Sequence, residues 1–119
     1  MPNVHILEAA NNLMKAAASK RDEKNQVLAQ LDAFKRDVDK QLSEKSTQFK
    51  IETDRATRSD SDAQQSAQAT RNAQQLHKDM EDLKKQQAQQ VQQLQKAAEQ
   101  LEQHAQGFES EAKNLQMQA

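Results

Sequence analysis

From Leu76 to Leu115 the chain can be read in steps of three and four: Leu76, Met80, Leu83, Gln87, Val91 (or Gln90), Leu94, Ala98 (or Ala97), Leu101, Ala105, Phe108, Ala112 and Leu115. That spacing nearly matches the helical repeat and keeps one apolar stripe on one side of a helix. Almost everything between these positions is Gln, Lys, Glu or Asp. A helix of this kind has one adhesive edge and no interior of its own, so it must lie against other helices.

Composition removes the alternatives. Hydrophobic residues make up 34% of the 119, below the roughly 45–50% of globular chains, and mean hydropathy is -1.13. Three aromatics (Phe34, Phe49 and Phe108) cannot fill a compact core. A single Gly and a single Pro leave little punctuation for sheets or tight loops. Disorder usually brings Pro, Gly and unbalanced charge, whereas the net charge here is -1. The expected fold is therefore all-α, an elongated antiparallel helical hairpin of the coiled-coil type, as one domain over residues 1–119.

The first arm opens at Pro2-Asn3, with Asn3 as the cap. In a heptad frame Leu7, Met14, Arg21, Leu28, Lys35, Leu42 and Phe49 share one core position; Ala10, Ala17, Lys24, Leu31, Val38, Lys45 and Glu52 share the other. Up to Phe34 a third, flanking position is also apolar (Ile6, Leu13, Val27, Phe34), and beyond it turns to Gln41 and Gln48. Arg21 and Lys24, with Lys20 beside them, interrupt the apolar surface. Their long stems can cover the seam while the charges reach water; the sharper reading is a polar layer that fixes register or oligomer state.

The pattern fails from Thr53 to Ser61, and no large apolar residue stands between Ile51 and Leu76. Ser61 and Gln64 have capping-box spacing, and Asp60 and Asp62 suit a helix N-terminus. The expected boundaries are helix 1 at about 3–53, a turn within about 54–61 and helix 2 from about 61 to 117. Gly107 is the one place where the second helix is expected to kink or fray. One continuous helix is the rival, because neither Gly nor Pro enforces the break. A hairpin turned there sets residues 4–34 opposite roughly 82–112.

Both arms widen their stripe towards the termini, the second through Val91, Ala98, Ala105 and Ala112. A two-helix seam needs only a narrow stripe, so Ile6, Leu13, Val27, Phe34, Val91, Ala98, Ala105 and Ala112 are the candidate partner-binding residues. Two such hairpins pairing at this end would form a local four-helix bundle, hence the expectation of a homodimer.

Chemistry finds little to stand on. His5 and Glu8, and His77 and Glu81, share helix faces. A di-metal carboxylate bundle, however, takes Glu-x-x-His motifs from two helices, and the sequence has none. His104 falls on or beside the seam as a packed or rim residue. Nucleophilic catalysis needs convergent polar groups in a concave pocket, which a thin hairpin lacks. No catalytic, cofactor or metal residue is assigned, and a non-enzymatic protein is expected.

The layer series with Gln87 between Leu83 and Val91 resembles the core helix of a glutamine-type SNARE protein over Leu76 to Leu115. The crowd of neighbouring glutamines places one at almost any layer, and no SNARE residue role is carried over. Near-neutral charge argues against a nucleic-acid partner. No apolar run approaches the ~20 residues of a membrane span, and the N-terminus lacks the basic, apolar order of a signal peptide. A cytoplasmic protein is expected, with export by another route left open. Two functions then compete. One is an interaction protein that binds helices of its own or another chain, of the adaptor, assembly or secretion-chaperone type. The other is an amphipathic coat on lipid, which usually carries Lys or Arg beside Trp, Phe or Leu; here charges are mixed and bulky residues sparse.

Overall fold

The computed structural model describes residues 3–58, 60 and 62–119. Helix α1 spans Val4–Thr57 and helix α2 spans Ala63–Gln118. They pack side by side as an antiparallel coiled-coil hairpin, and the described residues contain no strand. Pro2 as helix opener and Ser61 as cap lie outside the described residues.

Local chemistry sets the ends. Asn3 Oδ1 accepts from the backbone N–H of His5 (3.1 Å) and Ile6 (3.3 Å), meeting donors that the first helical turn leaves over. At α2 the cap is Asp62, whose Oδ1 accepts from Gln65 N–H at 2.7 Å. The first helix runs past the expected turn, to Thr57. Through that apolar-poor stretch Thr53 and Thr57 donate their hydroxyls back to the carbonyls of Phe49 (2.8 Å) and Thr53 (3.1 Å). Each side chain thus stays inside the helix instead of competing with it. Gly107 does not end α2, which continues to Gln118.

The later turn moves the pairing. Contacts divide the chain into two units, one joining the stretch up to Asp32 with Gln92–Ala119, the other spanning Ala33–Val91. The first arm's opening stretch thus faces 92–119, not 82–112 as the sequence suggested. The displacement follows from the extra helical turn before the connection.

In the unit containing both termini, the buried residues are Ala10, Ala17, Leu31, Ala98, Ala105 and Ala112. In the other they are Val38, Ala69 and Ala73, with the Phe49 and His77 rings 6.3 Å apart and Asn72 donating to Glu52 at 3.4 Å. Small side chains at the centre of a helix pair let the backbones approach closely. Larger neighbours are then displaced to either side of the seam. Accordingly Met14 and Leu28, expected in the seam, are 43% and 39% exposed. Burial also chooses between the two frames left open in α2. Val91 is half-buried and Gln90 exposed; Ala98 is buried and Ala97 only half-buried. The stripe therefore takes two consecutive steps of four, Leu83 to Gln87 to Val91, a stutter that locally unwinds a coiled coil.

Candidate helix-docking surface

In the unit built from both ends of the chain, Ala10, Ala17 and Leu31 on α1 and Ala98, Ala105 and Ala112 on α2 form the central column of each helix. Residues three and four positions away flank that column on its two sides. Ion pairs identify which flanks share a side. Arg21 donates to Glu102 (3.1 Å) and also to Glu109, while Lys24 donates to Glu102 at 2.9 Å. The columns Met14–Arg21–Leu28 and Glu102–Glu109 therefore lie on one side, the charged side. The remaining flanks, Ile6–Leu13–Lys20–Val27 and Leu94–Leu101–Phe108–Leu115, lie together on the other.

On the charged side, Glu102 accepts from Arg21, Lys24 and Gln106. Hydrogen bonds from Arg21 first and Lys24 second hold its carboxyl down at about 2, against a smaller opposing effect of burial. The Arg21 guanidinium is pushed above its ordinary range, by Glu109 most and Glu102 next. With Arg21 40% and Glu102 25% exposed, water screens these charges and limits what they add to stability. Their geometry joins the two helices: Arg21 and Lys24 both reach Glu102, and Arg21 also reaches Glu109 on the same column. Lys24 and Arg21 thus pair across the seam while their charges still reach water. Glu102 and Glu109 were not singled out from the sequence; their seven-residue spacing on one column was the available signal.

The apolar side is of a different character. Ile6, Leu13, Val27, Leu94, Leu101, Phe108 and Leu115 are all half-buried, retaining surface in water although the hairpin is complete. Of the residues proposed for partner binding, Ile6, Leu13 and Val27 meet here. Ala98, Ala105 and Ala112 are 4%, 0% and 0% exposed, enclosed in the chain's own seam. The α2 contribution to this side comes instead from the leucines and Phe108. Phe34 and Val91 belong to the other unit and are half-buried there.

Among the described residues no three His, Asp or Glu side chains converge on a metal position, and no helix is long and apolar enough to cross a membrane. Set against protein-family models, curated proteins and solved structures, the chain matches none.

Proposed function

We propose that this chain is a non-enzymatic interaction protein that binds other helices through the apolar side of its terminal unit. One observation carries the reading: the hairpin interior is filled mainly by alanine, while Ile6, Leu13 and Val27 of α1 and Leu94, Leu101, Phe108 and Leu115 of α2 stay half-exposed on one side, with Met14 and Leu28 standing among the charges on the other. Apolar surface in water costs about 25 cal/mol per Å² relative to burial. Another helix offers matching knobs and holes at the same spacing. The role is that of a cytoplasmic adaptor, assembly factor or secretion chaperone, the last by analogy of fold alone.

Far-UV circular dichroism and flotation with anionic vesicles test it. The chain is expected to be equally helical with and without vesicles and to stay out of the floating fraction. A photo-crosslinker at Val27 is expected to form adducts with protein, of this chain or another. Gain of helix on vesicles together with flotation would replace this reading with the lipid-coat one.

A further inference from the structure

We infer that the occupant of the apolar side is a second copy of this chain, the two hairpins stacking by that side into a four-helix bundle. The inference rests on the helix-binding reading and names its partner.

Surface area is the first argument. The chain exposes 8728 Å², whereas a monomer of 13.5 kDa is expected to expose roughly 6,500 Å². The excess, roughly 2,200 Å², is more than the about 800 Å² per partner that a specific interface of ordinary size removes. Pairing of this kind would take up part of that excess.

Charge is the second. With a net charge of -1, two copies repel little. On the apolar side the flanking columns carry Lys20, which reaches Glu23 on its own helix at 3.4 Å. The outer edge of α2 on this side follows one residue before each buried alanine: Ala97, His104, Glu111. Stacking α1 of one copy on α2 of the other at the same level turns Lys20 towards Glu111 of the second copy. The two-fold repeats that contact, because in an isologous interface each member of the pair occurs on both chains. By contrast, the other side already commits Arg21, Lys24, Glu102 and Glu109 to one another. Docking there would strip water from four charges.

Sedimentation equilibrium of the full chain, with helicity followed by circular dichroism, tests the inference. The wild type is expected to dimerise, Val27→Glu to be monomeric, and Met14→Gln and Leu28→Gln on the charged side to remain dimeric. Lys20→Glu, at a half-buried polar position that keeps the helix, carries the test should Val27→Glu lose helicity. It turns two symmetry-related attractions into repulsions and is expected to raise the dimer Kd about tenfold. Adding Glu111→Lys is expected to restore it. A wild type still monomeric at millimolar concentration overturns the self-pairing. So does a Lys20→Glu protein that pairs as tightly as wild type, or dissociation caused by Leu28→Gln alone. A monomer that ignores vesicles and crosslinks a foreign protein through Val27 leaves the helix-binding reading standing without its self-pairing form.

Discussion

Arg21 on α1 donates from Nη2 to Glu102 on α2 at 3.1 Å, and the same carboxylate takes a second cross-helix hydrogen bond from Lys24 at 2.9 Å. One anion thus holds two cations that stand three residues apart on the facing helix. Neither the apolar stripe nor helix propensity requires that arrangement. Glu109, further along the same column, meets Arg21 as well.

Acid should expose this contact. The folded carboxyl of Glu102 titrates at about 2 instead of its ordinary 4.5. Between those values the unfolded chain binds more protons than the folded one, so stability rises with pH there. The contribution is present in full above about 4.5 and is lost as pH falls through about 2. Melting temperatures measured from pH 6 to 2 are expected to fall along this window, and to fall less steeply in Glu102→Gln. Equal slopes in the two proteins would show that another group governs the acid limb.

How legible was this in the sequence? The Leu76–Leu115 stripe announced the helix and its need for a partner, because burial follows a 3.5-residue repeat whatever the side chains. Which column would lie at the centre was not legible. Ala10 and Leu7 both count as apolar, and the central column holds Leu31 as well as Ala10 and Ala17, so side-chain size alone does not choose the column. The register was hidden for a separate reason. With neither Gly nor Pro near the connection, the continuation of α1 to Thr57 left no mark in the apolar pattern. A hairpin turned earlier sets Arg21 beside Gln95, and its acidic partners then go unnoticed.

Leu28 and Leu31 offer a controlled comparison, being the same residue three positions apart. Leu31 is 7% exposed and Leu28 39%. Leu31→Ala is expected to cost about 2–5 kcal/mol, as for other buried leucines. Leu28→Ala should cost less, on the order of 1 kcal/mol, since much of its surface is already in water. Urea unfolding of the two variants checks this, and equal losses would mean that the alanine column is not the centre of the seam.

Overpacking tests the same column from the opposite direction. Ala105 is fully buried, so Ala105→Leu adds three carbons where the helices approach closely, at a cost of about 1–3 kcal/mol. The same change on the outer face, Ala88→Leu, meets only solvent and should stay within about 0.5 kcal/mol of wild type. Should Ala105→Leu stabilise the protein, the seam is looser than its burial indicates.

Gly107 gives a prediction of opposite sign. It lies inside α2 with no positive φ, and a Cβ built there meets nothing within 4 Å. Its helical backbone is therefore available to alanine at no steric cost. Glycine carries extra conformational freedom in the unfolded chain, and its replacement at a compatible helical site stabilises by about 0.4–1 kcal/mol. Gly107→Ala should accordingly raise the urea midpoint with an unchanged denaturant slope, since the surface exposed on unfolding hardly differs. Because the position is exposed, the gain should appear at every protein concentration and leave self-association untouched. A loss of stability in Gly107→Ala would mean that this position is covered in solution by something the isolated hairpin does not contain.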